Sequence, residues 1–574
     1  MEYIDDVTVI IPAAGDVPES LRPLSNKSSV AMVTMNGKPV IYWTLSYLKS
    51  LGYRHFVFAV RNHKSMLESF VTHIFTPELE IKFVCPDRDG GVGYSVMQCS
   101  QVLETTKILL VLGDTFFEFP KLSSAESNKN YVLVSPVNEY YRWCIAEHDS
   151  TNKITSFIDK PNNYSSNGDA LIGVYKINDW PLFHTCLQSA WQNKKKCPKK
   201  VELSEALTSY THKHPIHAYP AKEWFDCGNP DNLFRSRRTL MQKREFNTVT
   251  FDDLLGTITK QSKNTEKFID EIDYYKLIPS ELHILFPRVI SSETLPDQTH
   301  ITMEYYGYPT LSELLVFENL RPRVWYRIFD HLYQIIQRMM KYTIEADEYS
   351  FDYMYNRRVE DRINEIKETS GPLASLVTCK KPLIINGNSC ANFYDIWPLI
   401  KDELNCLYNA QKFCVMHGDL CFSNILYDLT NGISKFIDPR GSFGRKGCYG
   451  DIRYDIAKLY HSIHGSYDYI TNDLFRLVCH DNSIEFEVFH NQNMADIKGS
   501  FDTIFFNNLF NKREILLLEG MLFVTMGIFH QDAPLRQQAM YITGITIWNE
   551  LMQNGSDTSI LSNCSIEKSN QQKA

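Results

Sequence analysis

Between Val7 and Tyr219 short apolar runs alternate with amphipathic stretches, a rhythm that restricts this part of the chain to a sheet covered by helices. Residues 7–12, 56–60, 81–85, 108–112 and 131–135 each read as a strand. Residues 40–51 put Ile41, Leu45 and Leu48 on one helical face and end at Gly52, a residue suited to closing a helix. Strand, helix and strand in that order imply a largely parallel sheet.

After Pro230 the composition shifts. Arg235, Arg237, Arg238, Lys243 and Arg244 make a polar helical stretch that reads as a connector. Residues 248–251 and 256–260 resemble a hairpin, 266–277 a helix and 300–304 a strand, and helical patterns dominate from Leu311 onward. Residues 554–574, rich in Ser, Asn, Gln and Lys, read as a disordered tail. The expected organisation is therefore an α/β domain over 1–240, a second domain over 245–553 and the tail; no solenoid-period repeat is present.

With 574 residues, 44% of them hydrophobic and 22% charged, the chain is no disordered, collagenous or small disulfide-built protein. Its formal charge of −9 is spread along the chain with no basic block beyond the cluster Lys194, Lys195, Lys196, Lys199 and Lys200, a pattern that argues against a nucleic-acid partner and for small-molecule substrates. The 14 cysteines show neither a C-x-x-C pair nor the close Cys/His spacing of a structural zinc site and read as buried free thiols in a reducing, cytoplasmic setting. Residues 1–15 lack the basic start of a secretory signal. Residues 515–529 contain Glu519 and fall short of the ~20 residues of a membrane span, so a buried helix is expected and no membrane span.

Ala13-Ala14-Gly15 follows the first strand and delivers small residues into a loop where backbone N–H groups can approach a phosphate or base. Leu21-Arg22-Pro23-Leu24, Asn36-Gly37-Lys38-Pro39, Leu112-Gly113-Asp114, Asp159-Lys160-Pro161 and Trp224-Phe225-Asp226-Cys227-Gly228-Asn229-Pro230 follow in order. This series resembles the sugar nucleotidyltransferase family, which includes sugar-1-phosphate uridylyl- and guanylyltransferases and phosphocholine cytidylyltransferases. The resemblance implies a Rossmann-like, mostly parallel domain. It further implies Mg2+ held by Asp114 and Asp226, Lys160 on the incoming phosphate, Ala13, Ala14 and Gly15 at the nucleotide, and the Gly90, Gly91, Gly93 stretch beside its base. The chemistry fits: attack of a phosphate oxygen on an α-phosphorus gathers charge that a divalent ion neutralises. A helix cap for Asp114 and a solvated turn for Asp226 are the plain structural alternatives. Two family elements differ here. The loop after Gly15 reads Asp16-Val17-Pro18-Glu19-Ser20 without its arginine, and Ser29-Val30 stands where a Pro-Lys pair is usual, leaving Lys27 or Arg22 as substitutes.

The string Met416-His417-Gly418-Asp419 through Asn424, then Phe436-Ile437-Asp438-Pro439, then Gly450-Asp451 through Lys458, resembles the aminoglycoside phosphotransferase and choline kinase family, relatives of the protein kinases. The resemblance implies a bilobal α+β kinase-like domain with Asp419 as base and Asn424 and Asp438 as Mg2+ ligands, His417 packed under the loop and Asp455 bracing it. Lys260 with Glu271 is the expected phosphate-gripping pair, with Lys263 and Glu266 as the alternative, and Glu304 falls in the segment 303–307 that resembles the adenine hinge. Trp325, Tyr326, Tyr353 and Tyr355 read as core packing or as a cage for a quaternary amine.

Together the two halves imply a bifunctional enzyme. A kinase phosphorylates a sugar or amino alcohol with ATP, and the first domain couples a phosphate monoester to a second nucleotide (CTP, UTP or GTP), both with Mg2+, as in surface-polysaccharide assembly. The alternatives are a degenerate, nucleotide-sensing first domain and, last, an antibiotic-modifying kinase.

Overall fold

The computed structural model describes residues 4–15, 21, 29–61, 64–162, 164, 168–194, 200–242, 248–262, 265–295, 298–408 and 412–553. The loop 16–20, Arg22, Lys27, Lys195, Lys196, Lys199, Lys243, Arg244, Lys263 and the segment 554–574, which carry expectations above, lie outside these residues. Contacts divide the described residues into two compact units, one drawn from 1–241 and 317–319, the other from 242–316 and 320–574.

The first unit is built on a 9-stranded sheet. Ile4–Pro12 lies between Tyr53–Ala59 and Lys107–Val111, parallel to both, and Glu80–Val84 extends the parallel run. The two central strands, Ile4–Pro12 and Lys107–Val111, are apolar at successive positions where both sheet faces are covered; Val9, Ile10, Ile11, Leu109 and Leu110 are fully buried. Gly168–Ile177 then runs against Lys107–Val111, and it also pairs antiparallel with Asn130–Ser135 and Cys144–His148. Ile216–Pro220 joins Asn130–Ser135 in parallel, and Ile154–Asp159 closes one edge antiparallel to Cys144–His148. Every strand except Gly168–Ile177 and Ile154–Asp159 therefore points the same way, and the sheet is mixed but mostly parallel.

The helix Val40–Ser50 buries Ile41, Leu45 and Leu48. It stops at Gly52, whose φ of +100° only glycine adopts cheaply and whose N–H donates to Lys49 O at 3.1 Å.

The polar connector is a correction. Pro230–Gln242 is a helix of the first unit, with Leu233 buried among Val33, Met35, Phe116 and Phe225. Arg237 is buried, and its Nε and Nη2 donate to Thr34 O at 3.0 and 2.8 Å. A run rich in arginine reads as solvated unless a backbone acceptor waits inside, and one does here.

The second unit begins with a 4-stranded antiparallel sheet, Thr248–Asp252, Thr257–Ser262, Gln298–Glu304 and Val289–Leu295, joined by the helix Thr265–Leu277. The remainder is mainly helical with small sheets. Lys512–Met526 is a buried helix, as its sequence implies, and Glu519 inside it is fully buried beside His464 Nδ1 at 2.9 Å. No helix among the described residues is long and apolar enough to cross a membrane, and the described cysteines are free thiols.

Gly520 faces Trp548 on the helix Pro534–Gln553, where a methyl group would strike the indole that donates to Leu517 O at 3.1 Å. Gly520→Ala is expected to cost about 1–3 kcal/mol by overpacking, measured by denaturant unfolding.

Candidate active sites

In the first unit, Asp114 follows the sheet strand Lys107–Val111, and Asp226 ends the short strand Glu223–Asp226. That strand pairs antiparallel with Thr115–Glu118, opposing Asp226 to Thr115, and Cys227 N–H donates to Asp114 O at 2.9 Å. Two chain segments more than a hundred residues apart thus present their carboxylates side by side. Gly228 separates them: a Cβ there would lie 3.0 Å from Asp114 Oδ2 and 3.2 Å from Asp226 Oδ1.

Asp226 accepts from Gly228 N–H and Asn229 Nδ2, each at 2.9 Å, and from Asn232 Nδ2 at 2.5 Å. Burial, and then the charge of Asp226, push the Asp114 carboxyl up to about 6. Burial also raises Asp226, against the opposing pull of Asn232, Gly228 and Arg142.

Asp114, Arg142, Lys160, Glu202, Trp224 and Asp226 line a cavity of about 170 Å³. A larger one of about 800 Å³ shares Arg142, Trp143, Trp224 and Asp226. The structure brings Lys160 to the carboxylate pair with φ of +48° and its N–H bonded to Trp143 O at 3.0 Å. Ala13 sits beside the same turn: a Cβ on Gly113 would be 3.4 Å from Ala13 Cβ, and Ala14 and Gly15 continue from it. Gly91, expected beside the nucleotide base, also has a backbone reason to be glycine. With φ of +83°, it leaves room for Val201, whose O would lie 2.8 Å from a Cβ, and its neighbour Val92 is the residue that reaches the smaller cavity. Arg142 and Glu202 were not singled out from sequence; Arg142 comes from a 3-10 turn with no motif around it.

Two ionisable carboxyls pressed together out of water suit a divalent cation, which Mg2+ sites meet with one or two carboxylates plus substrate phosphates. No group of three or more His, Cys, Asp or Glu among the described residues is arranged to hold a metal. The sign of the pH effect follows. A carboxyl raised above its unfolded value favours the fold when protonated, and that contribution is lost as pH rises from ~4 through about 6. Only the ionised pair binds a cation. Mg2+ or Mn2+ is therefore expected to raise the melting temperature by a few degrees at pH 8 and hardly at pH 5, and Asp114→Asn to erase the difference in a thermal-shift assay.

In the second unit, Lys260 on strand Thr257–Ser262 reaches Glu271 Oε1 at 3.5 Å and ion-pairs with Asp438. Burial lowers the tendency of Lys260 to stay charged, but Asp438 and Glu271 outweigh it and raise its pKa. Burial pushes Glu271 up to about 7 against the pull of Lys260.

Loop 417–424 is held from below. Asp455 accepts His417 N–H at 2.6 Å and Gly418 N–H at 2.9 Å. His417 accepts Asp419 N–H on Nδ1 at 3.2 Å and donates from Nε2 to Ile437 O at 3.0 Å; burial drops its pKa to about 4, so it is neutral. Asn424 Nδ2 donates to Asp419 O at 2.9 Å and to its Oδ2 at 3.3 Å, and Ile437 N–H donates to Asn424 O at 3.0 Å, tying the loop to the residue before Asp438.

Lys458 Nζ lies 3.0 Å from Asp419 Oδ1. Burial works against ionisation of Asp419, but Lys458 and Arg440 overcome it and hold the carboxyl far below the usual range. Lys458 was quoted in a motif but given no role; its spacing from Asp455 on one helix face is the signal for it.

Glu271, Asp419, Asp438 and Arg440 line one cavity of about 450 Å³. Glu304 is not among its lining residues; its carboxylate sits 3.3 Å from Arg288 and accepts Tyr306 OH at 2.9 Å. The quaternary-amine cage does not assemble. Trp325 and Tyr355 are fully buried, Trp325 against Phe329 and Phe422 and Tyr355 against Phe351 and Phe443, while Tyr326 is exposed and only Tyr353 lines the cavity.

Residues 9–243 match the nucleotidyl transferase family model, so the first unit carries a nucleotidyl transferase domain. A bifunctional sugar-1-phosphate nucleotidylyltransferase/acetyltransferase of Sulfurisphaera tokodaii is 25% identical over 270 residues, 46% of this chain and 61% of that protein. Bifunctional protein GlmU of Methanocaldococcus jannaschii is 23% identical over 228 residues, 39% of this chain and 52% of its own length. The chain thus spans little more than half of these curated relatives. A solved UDP-glucose pyrophosphorylase complexed with UDP-glucose aligns at TM-score 0.36 and 17% identity, covering 41% of this chain and 99% of that one.

Proposed function

We propose that the chain is a bifunctional transferase: the first unit condenses a sugar 1-phosphate or similar monoester with a nucleoside triphosphate, releasing pyrophosphate, and the second phosphorylates a small hydroxyl compound with ATP. The kinase half is a bilobal, protein-kinase-like domain in this reading. The observation that carries it is the meeting of Lys260, Glu271, Asn424, Asp438 and Asp419, from a strand, a helix and two loops, around one cavity edge. A cation on a strand for the phosphates, a helix glutamate orienting it, an amide and a carboxylate for Mg2+ and a second, ionised carboxylate for the hydroxyl proton are the parts phosphoryl transfer needs.

For the first unit, the support is the paired Asp114 and Asp226 with Lys160 on one cavity, and the names of its relatives point to sugar 1-phosphates. Mg2+ held there would offset charge developing at the α-phosphorus. Asp114 and Asp226 hold the ion, and Lys160 and Arg142 offer cations to the phosphate. A product of the kinase is a phosphate monoester, the kind of substrate the first unit consumes. The two steps in sequence would supply an activated donor for surface-polysaccharide assembly from cytoplasmic substrates.

A second reading, a nucleotide-sensing first unit, is favoured by one observation. Ser29, where a Pro-Lys pair is usual in the family it resembles, spends its hydroxyl on Ala13 O at 3.0 Å, so no cation stands at that position. Incubation with ATP, a panel of CTP, UTP and GTP, and candidate acceptors, with ADP and pyrophosphate followed separately, decides between them. Both products are expected, and ADP without pyrophosphate under every combination would favour the sensor.

A further inference from the structure

We propose that the cavity beside Asp419 takes a hydroxyl compound that also bears an oxyanion, a carboxylate or a phosphate, held by Arg358, Arg362 and Arg440. The inference rests on the phosphotransfer reading and names the class of acceptor.

All three arginines line the 450 Å³ cavity. Its four carboxylates all have a lysine beside them: Lys446 lies 2.8 Å from Asp270, Lys458 3.0 Å from Asp419, and Lys260 is shared by Glu271 and Asp438. None of the arginines has a carboxylate oxygen within 4.0 Å among the described residues; Arg440, against the cost of burial, is kept charged by Tyr454 and the more distant Asp419 and Asp455, whereas Arg358 and Arg362 have no carboxylate acting on them. Arg440 Nη1 and Arg358 Nη1 point to the same acceptor, Tyr454 OH, at 3.1 and 3.5 Å, and Arg362 lies over the Phe529 ring at 4.5 Å.

Their backbone placement is specific. A π-helical turn, Tyr353–Arg357, leads directly into the helix Arg358–Glu368, on which Arg358 and Arg362 are four residues apart and share a face. Arg440 is fastened to the Asp419 loop, its N–H donating to His417 O at 3.0 Å. Like charges so placed repel. Burial first, and then Arg440, make Arg358 easier to deprotonate; burial and Arg358 bring Arg362 down to about 9. Burial resists ionisation of Tyr454, yet Arg440, Arg358 and Lys458 overcome it and bring the hydroxyl to about 7.

Such a site favours an oxyanion that guanidinium forks grip through paired hydrogen bonds, and repels an amino alcohol or an aminoglycoside. In the reaction the acceptor hydroxyl oxygen bonds to the γ-phosphorus of ATP. The bond from that phosphorus to the β–γ bridging oxygen breaks, ADP leaves, and the hydroxyl proton passes to Asp419. The product gains a phosphate ester and keeps its original anion.

The test is calorimetric titration of the full chain, saturated with MgADP, with malonate and separately with inorganic phosphate, for wild type, Arg362→Gln and Arg362→Lys, each with its melting temperature. Binding of one or both anions is expected, weakened about tenfold or more in Arg362→Gln and partly restored in Arg362→Lys. The malonate arm distinguishes a carboxylate acceptor from a phosphorylated one. Steady-state assays with hydroxy acids, phosphorylated alcohols, neutral sugars and amino alcohols complete it: Arg362→Gln should raise the KM of the anionic acceptor and leave the KM of ATP in place. Neither anion binding, equal binding in Arg362→Gln, or faster turnover of neutral or cationic acceptors overturns the inference while ATP turnover keeps the kinase reading. Failure of the chain to bind MgADP or MgATP at all overturns both.

Discussion

Asp419→Asn is expected to lower ATP-dependent phosphorylation about 10³-fold, within the 10²–10⁴ that a positioned base supplies, with pyrophosphate release by the first unit retained. The substitution keeps the shape that receives Asn424 Nδ2 but removes the charge that, in the proposed phosphotransfer, would accept the hydroxyl proton. It also leaves Lys458, 91% shielded, without its partner. Because the Asp419 side chain is itself 36% exposed, the stability cost is about 1–2 kcal/mol rather than that of a fully buried pair. Asp419→Asn with Lys458→Met should recover the melting temperature and not the activity. A coupled assay for ADP checks this, and a single variant with turnover within tenfold of wild type would sink the base assignment.

Asp114→Asn is expected to lower pyrophosphate release at least ~10²-fold, and Asp226→Asn to do the same, because each leaves a cation with half of its protein ligands as charge builds on the α-phosphate. The two carboxylates flank Gly228 and in the proposed reaction would act as one unit. The double variant should therefore be little worse than either single one, as groups serving one ion are not additive. Kinase turnover should persist in all three. Phosphate-coupled pyrophosphate measurement reads the result; unchanged release in Asp114→Asn would remove the ion from this site. Asp226→Asn also loses acceptor strength toward Asn229 and Asn232, so a lower melting temperature is expected there and not in Asp114→Asn.

Much of the fold was legible because burial on both faces writes itself into the sequence as unbroken apolar runs. Lys107–Val111 and Asn130–Ser135 carry it, as do the later residues of Ile4–Pro12 and Tyr53–Ala59, whereas the edge strand Glu80–Val84 buries only Val84. Gly168–Ile177 escaped notice although it is the strand on which the sheet turns. Gly168, Asp169 and Gly173 interrupt its pattern, and Gly173 is required by its φ of +89° and by Leu112 packed against it. The helix Pro230–Gln242 misled for the opposite reason, since charge on Arg237 gave no hint that Thr34 O would satisfy it inside. In the candidate sites, loop 417–424 was readable because the backbone conformation itself sets the distance between Asp419 and Asn424, whereas Arg142 and Glu202 had no local pattern to announce them.

From residue order alone came the strand-and-helix rhythm of the first unit, the helical weight of the second and the local strings that carry Asp114, Asp226, Asp419 and Asp438. Tertiary structure alone decided how the charges are shared: Lys260, Lys446 and Lys458 ion-pair with the nearby carboxylates, and Arg358, Arg362 and Arg440 gather on the same cavity with no carboxylate among the described residues within ion-pair distance. The reason is that dihedral preference and hydrophobic period are short-range properties of neighbouring residues, while the potential inside a cavity is a sum over every charge near it in space, weighted by distance and by how much water remains.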